Sequence, residues 1–100
     1  MYKFINRSFK LWAYTVSHSF LILRSPLKFP DQEGYNEANN FNIDIEFSAV
    51  AYLDIPHTLH GIEILELTRN IPIKLAHYKT QLGYKIFELR SENKNCYIVA

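Results

Sequence analysis

Two short segments near the start of the chain have the residue pattern of paired β-strands. They cover residues 9–16 and 19–24, are rich in aromatic and β-branched side chains, and are separated only by Ser17 and His18. Such runs joined by a two-residue link predict a β-hairpin. Both alternating sets of the first segment are apolar, with Phe9, Leu11 and Ala13 in one set and Trp12, Tyr14 and Val16 in the other. This segment is therefore expected to be a central strand or to be covered on both faces.

The clearest alternation of apolar and polar residues runs over residues 42–54. The apolar set contains Ile43, Ile45, Phe47, Ala49, Ala51 and Leu53, and the polar set begins with Asn42, Asp44, Glu46 and Ser48. A period of two predicts a half-buried β-strand. The segment is longer than the usual strand of roughly 5–6 residues, and Val50 and Tyr52 interrupt its polar set. We expect a bulge or kink near residues 49–51.

Turn residues follow this strand. Pro56 lacks a backbone donor and Gly61 tolerates positive φ, so residues 55–61 are expected to form a turn. A further strand is expected over residues 62–68. The next segment, residues 71–83, fits two structures. As a helix it has a stripe of Leu75, Tyr78 and Leu82, and as a strand it has the alternation Ile71, Ile73 and Leu75.

Residues 84–90 and 96–100 predict a last hairpin around the polar turn residues 91–95. Hairpins therefore dominate, and strands do not alternate with helices along the chain. The expected fold class is all-β, with an antiparallel sheet of about six strands forming a small sandwich or a partly open barrel. The alternative is an α+β fold with one short helix near residues 72–82. Residues 1–100 are expected to form a single β-rich domain.

The one long break in the strand pattern covers residues 25–40. It contains Pro26, Pro30 and Gly34 among polar residues. Loops longer than roughly 12–15 residues are uncommon in compact domains and are often functional or disordered. This loop is therefore the best guide that the sequence offers to the location of a site.

Charge is divided unevenly along the chain, although the net charge is only +1. Residues 1–29 carry bases and no acid, residues 30–68 carry acids and no base, and bases predominate again from Arg69 onward. One interpretation is an acidic central hairpin between basic neighbours, because opposite charges across strands stabilise a sheet. The other is an acidic face that binds a partner protein with a basic surface. The candidate interaction residues are Tyr35, Asp44, Glu46, Glu63 and Glu66.

A second candidate site is the spacing Asp54, His57 and His60 in the predicted turn. Imidazole and carboxylate groups presented together can ligate zinc or a similar ion, or can line a small-ligand pocket. A tetrahedral metal site would need a further ligand from elsewhere in the chain. We expect no cofactor. Cys96 lies in a predicted strand, where a free cysteine is usually a small buried hydrophobic residue.

No phosphate-binding loop, dinucleotide fingerprint, metalloprotease motif or paired-cysteine zinc motif is present. The first hypothesis is therefore a non-enzymatic protein-binding module with an inhibitor, immunity-like or subunit role. The alternative is a small-ligand-binding or metal-dependent site in a β-barrel cavity. We do not expect binding to nucleic acid, because acids dilute the bases, or to a membrane, because no apolar run is long enough.

The last predicted strand, residues 96–100, is a candidate edge through which a homodimer could form. The single cysteine excludes an internal disulfide and fits a reducing compartment, so a cytoplasmic location is expected. The abundance of Asn, Ile, Lys and Tyr is typical of an AT-rich bacterial genome.

Overall fold

Seven antiparallel strands form one curled sheet in the computed structural model, which describes residues 2–37, 40–80, 83–92 and 94–100. The strands are β1 (Tyr2–Thr15), β2 (Phe20–Ser25), β3 (Ile43–Phe47), β4 (Tyr52–Asp54), β5 (Thr58–Leu67), β6 (Ile86–Ser91) and β7 (Lys94–Val99). Their order across the sheet is β3-β2-β1-β5-β6-β7-β4. The sheet forms a half-barrel, so the predicted all-β class is confirmed.

The two edge strands show how strongly the sheet is curled. β3 and β4 lie at opposite edges of the sheet, yet only residues 48–51 separate them in sequence. Since a chain covers at most about 3.6 Å per residue, the sheet must bend until its edges approach each other. The Val50 N–H donates to the Ser19 carbonyl (2.9 Å) and the Ala51 N–H to the Val99 carbonyl (2.8 Å). This link therefore closes one end of the half-barrel.

The kink predicted near residues 49–51 is confirmed. Ala49 has φ 54°, and the predicted strand divides there into β3 and β4. A positive φ is strained for a residue with a Cβ atom. The change of direction allows residues 48–51 to connect the two edges.

A bulge in β1 produces a second bend. Phe4 pairs with Ile62 and Ser8 pairs with His60, so residues 5–7 of β1 lie opposite Gly61 alone. Gly61 has φ +66°, and a Cβ atom there would lie 2.6 Å from the Ile5 carbonyl oxygen. The predicted turn over residues 55–61 is therefore wrong in its second half, because β5 begins at Thr58. Gly61 serves a bulge inside a strand, and not a turn.

The segment 71–83 contains a 3₁₀-helix, Ile73–Thr80. Leu75 is fully buried against Ile86 and Val99 on the convex face of the sheet, and Tyr78 packs beside them. The helical alternative is thus nearer to the structure than the strand, although no α-helix occurs in the described residues. Leu82, the third residue of the predicted stripe, lies outside them. No helix in the described part of the chain is long and apolar enough to cross a membrane.

The main core fills the concave face of the half-barrel. Its most completely buried members are Phe9, Leu21, Leu23, Leu89 and Ile98. Both predicted hairpins are confirmed, as β1–β2 and β6–β7. β1 is central, between β2 and β5, which is one of the two alternatives predicted for it. The other alternative does not apply, since Trp12 is 50% exposed and Val16 lies beyond the end of the strand.

Two predictions about neighbouring strands are wrong. Residues 96–100 do not form an edge, because β7 pairs with β6 on one side and with β4 on the other. The acidic residues 30–68 do not form a hairpin, because β3 and β4 are the two sheet edges and β5 is central. Strands that are consecutive in sequence, such as β3 and β4, are far apart in the strand order. Residue patterns do not predict that order.

Candidate binding groove along the β3 edge

β3 is the longer of the two sheet edges. It pairs with β2 on one side, and no strand of the described chain pairs with its other side. An edge strand presents unpaired N–H and C=O groups to its surroundings. The other edge, β4, is only three residues long. β3 is therefore the better backbone surface for another chain to join.

An open groove lies beside this edge. It consists of two adjoining cavities of about 480 and about 320 Å³, which share Glu46, Phe47, Lys85 and Phe87. The first cavity is also lined by Tyr2, Ile45, Ile64 and Glu66, and the second by Ser48, Ala49, Gly83 and Ala100. Together they follow β3 from Ile45 to the kink at Ala49. We call this surface the β3 groove.

The floor of the β3 groove is apolar and firmly packed. Phe47 and Ile64 are buried core residues, and Ile45 and Phe87 pack partly buried against the same core. The Phe47 and Phe87 rings meet edge to face with centroids 5.5 Å apart. Aromatic pairs in this geometry hold each other in a defined position. The floor is therefore preformed, which lowers the ordering cost of binding.

The charges of the β3 groove are mainly negative. Glu46 is exposed on β3, and its carboxylate has no ion pair among the described residues. Glu66 lies 3.7 Å from the Lys85 ammonium, with both side chains largely exposed. A pair of this kind contributes little stability. The groove thus has two carboxylates against one ammonium group.

Asp44, also on β3, is engaged in a different way. Its carboxylate accepts two hydrogen bonds from Arg24 across the strand pair, at 2.6 and 2.8 Å. The hydrogen bond from Arg24 holds the pKa of Asp44 below its ordinary value, with a smaller contribution from the charge of Arg24. The guanidinium also lies over the Trp12 ring, 4.9 Å from its centre. Asp44 therefore stabilises the sheet, as the cross-strand interpretation of the charge pattern expects.

The remaining candidate interaction residues lie elsewhere. Glu63 is on β5 in register with Lys3 and Arg90, beside a different cavity of about 430 Å³. Tyr35 is half-buried in the long loop, where its N–H donates to the Gln32 carbonyl. The structure therefore brings Glu46 and Glu66 together in one groove and separates Asp44, Glu63 and Tyr35 from it.

The candidate ligand or metal residues are engaged separately. Asp54 on β4 accepts from Lys74 at 2.7 Å. The Nδ1 atom of His57 lies 2.7 Å from Thr58 Oγ1, and that of His60 lies 2.9 Å from Ser8 Oγ. Within the described ranges no three His, Cys, Asp or Glu side chains are grouped so that they could hold a metal ion. The geometry gives no support to a metal site here.

Cys96 is buried in β7, as its sequence context predicts. Burial raises the pKa of its thiol, and the charge of Asp54 adds to the effect. A thiolate is the reactive form of cysteine. The observed environment is that of a structural residue.

Part of the β3 groove could not be predicted from the sequence. Lys85 and Phe87 are two residues apart in a predicted strand, so the sequence indicates that their side chains lie on the same face. Their position opposite β3 depends on the curl of the sheet, which no residue pattern shows.

Comparison of the chain with models of known protein families, with curated proteins and with solved structures gave no match. Its function is therefore inferred from its own residues and geometry.

Proposed function

We propose that this protein is a non-enzymatic protein-binding module that takes an extended, basic segment of a partner protein as an additional strand on β3. The observation that carries the proposal is the open β3 edge above a preformed apolar groove with excess negative charge. Strand addition to an exposed sheet edge is a recurring mode of peptide recognition.

Affinity and specificity have separate sources in this arrangement. Backbone hydrogen bonds between the incoming strand and β3 supply affinity that is independent of sequence. Alternate side chains of a strand point to opposite faces, so every second side chain of the partner enters the apolar groove. The side chains between them point to the other face of the sheet, where basic residues pair with the exposed carboxylate of Glu46. The preferred segment therefore alternates apolar and basic residues.

The same charges disfavour a second copy of the chain as the occupant. Two β3 strands that pair antiparallel about a two-fold axis at Ile45 would place Asp44 of each opposite Glu46 of the other. Like charges directly opposite each other destabilise a strand pair. A charged residue on an edge strand is a common means of preventing self-association. A basic partner removes this repulsion.

We further propose that the module works in a reducing compartment such as the cytoplasm. Support comes from Cys96, which is the single cysteine and is buried, so that it neither forms nor needs a disulfide.

The proposal is tested with two labelled heptapeptides, one alternating valine with lysine and one alternating valine with glutamate, by fluorescence anisotropy. The lysine peptide binds and the glutamate peptide does not. Glu46→Lys weakens binding of the lysine peptide by about tenfold or more, because an attractive charge becomes a repulsive one. Asp31→Lys, the same change at an exposed position of the long loop, leaves binding within about twofold.

Two results would overturn the proposal. One is equal binding of both peptides, which would mean that the charges of the groove select nothing. The other is an equal loss of binding in Glu46→Lys and Asp31→Lys, which would mean that binding depends on the net charge of the protein and not on the position of Glu46. Sedimentation of the unliganded protein reports whether a second copy occupies the edge instead.

A further inference from the structure

Another cavity lies on a different part of the molecule, between the middle of β1 and the long loop after β2. Its volume is about 350 Å³. Its polar lining includes the cations Arg7, Lys10 and Lys28, the hydroxyls of Ser8 and Ser25, and the amide of Asn6. Among the residues that the structure describes, no carboxylate side chain is part of the lining. We call it the basic cavity.

Arg7 is held firmly in the wall of the basic cavity. Its Nε donates to Ser25 Oγ at 2.8 Å, and its Nη2 donates to the carbonyls of Ser25 (3.0 Å) and Phe41 (2.7 Å). The guanidinium also lies 5.2 Å from the centre of the Phe41 ring. These contacts join the end of β2 to the start of β3. Arg7 thus fixes the base of the loop and presents an ordered positive charge.

Lys28 is positioned by the loop itself. Its Nζ donates to the Glu33 carbonyl at 3.0 Å. A Cβ atom on Gly34 would lie 2.8 Å from that Nζ, so the glycine allows the ammonium to approach the loop backbone. A backbone carbonyl uses one of the three donors of an ammonium group and leaves its charge in place. Lys28 therefore still has donors for a ligand.

Lys10 completes the set from β1. It is exposed and lies in register with Arg24 across the β1–β2 pair. Lys10 lines the basic cavity and has no ion pair among the described residues, whereas Arg24 is paired with Asp44. Like charges gathered in one cavity repel one another. A bound anion relieves that repulsion.

We propose that the basic cavity binds a phosphate group. Arginine and lysine are the side chains that hold phosphate oxygens through charge-assisted hydrogen bonds. Hydroxyl and amide groups of Ser8, Ser25 and Asn6 add neutral donors of the kind found around phosphates. The phosphate belongs either to a small phosphorylated molecule or to a single-stranded nucleic acid, for which Trp12, half-exposed beside Arg24, offers a stacking surface.

The site is tested by titrating the full chain with three probes: inorganic phosphate, adenosine monophosphate and a ten-residue oligothymidylate. Heat and the fluorescence of Trp12, the single tryptophan, report binding. The double variant Lys10→Gln, Lys28→Gln removes two ligand donors and leaves Arg7 to hold the loop. The matched control is Lys3→Gln, Lys94→Gln, which removes the same charge from exposed positions outside the basic cavity.

We expect at least one probe to bind, and the cavity variant to lose about tenfold or more in affinity, as the loss of charge-assisted hydrogen bonds predicts. The control variant stays within about twofold at 0.15 M salt, where distant charges are screened. Tighter binding of oligothymidylate than of either small probe assigns the phosphate to nucleic acid, and equal or weaker binding assigns it to a small molecule. No binding of any probe, or an equal loss in both variants, would overturn the proposal.

Discussion

At the scale of single residues, Gly61 is the position where the backbone depends most on the absence of a side chain. Its φ is positive, and an added Cβ atom would meet the Ile5 carbonyl at 2.6 Å. The bulge that residues 5–7 form in β1 therefore fits only opposite a glycine. Gly83 also has positive φ, +87°, but no atom of the described residues lies within 4 Å of an added Cβ atom. Substitutions at these two glycines therefore distinguish the cost of backbone strain from the cost of a steric clash.

Gly61→Ala is expected to destabilise the protein by more than Gly83→Ala. Strain alone costs about 1–3 kcal/mol, reduced by up to about 1 kcal/mol because alanine lowers the entropy of the unfolded chain. At Gly61 the contact with Ile5 adds to this cost. Urea denaturation of both variants measures the difference. Equal losses of stability would show that the bulge adapts and that the close approach has no energetic weight.

The ion pair of Arg24 and Asp44 makes a pH-dependent contribution. Arg24 lowers the pKa of Asp44 from its ordinary value of 3.8, so the folded state favours the charged carboxylate. The contribution is present in full above that value and is lost as the pH falls through the lower folded pKa. Wild type should therefore be more stable than Asp44→Asn near pH 7, and the difference should shrink below pH 3.8.

Urea denaturation as a function of pH measures this effect, with Asp31→Asn as the control for loss of an exposed carboxylate. A stability difference between wild type and Asp44→Asn that is constant from pH 7 into the acid range would contradict the assigned pair. Asp44→Asn and Asp31→Asn carry the same net charge, so the effect of net charge on stability cancels when these two variants are compared.

At the scale of elements, the 3₁₀-helix is held to the sheet by one side chain above all. Leu75 is fully buried on Ile86 and Val99, whereas Ile73, in the same helix, is 94% exposed. Leu75→Ala is expected to cost about 2–5 kcal/mol through lost burial and a cavity. Ile73→Ala should change stability by less than about 0.5 kcal/mol. Thermal or urea denaturation compares the two, and similar values would mean that the helix does not pack through Leu75.

Some elements were predictable because their signals are local. The two hairpins, the alternation of residues 42–47 and the interruption at Val50 each depend on neighbouring residues, and the structure confirms them. The predicted links were wrong in length, since the first covers residues 16–19 and Ser91 already pairs with Lys94 in the second. Residues 71–83 could not be decided, since both the helical and the extended pattern direct Leu75 inward. The extent of the turn before β5 was wrong because a glycine with positive φ serves a turn and a bulge equally well.

At the scale of the whole molecule, the position of the proposed binding groove follows from the strand order. Residues 48–51 carry the chain from one sheet edge to the other, which leaves β3 open and places β4 beside β7. These pairings join residues far apart in sequence, so the β3 groove could not be predicted, although Glu46 and Glu66 were both predicted as candidate interaction residues from charge. The long loop was expected to mark a site, and it forms a wall of the basic cavity.

The central claim is that β3 accepts an extended basic segment as a neighbouring strand. It is tested most directly by backbone NMR and amide hydrogen exchange of the protein with the heptapeptide of alternating valine and lysine. We predict that resonances of residues 43–47 shift, together with those of Lys85 and Phe87, and that amides of β3 directed away from β2 gain protection from exchange. Resonance changes confined to other strands, or no gain in protection along β3 at saturating peptide, would contradict it.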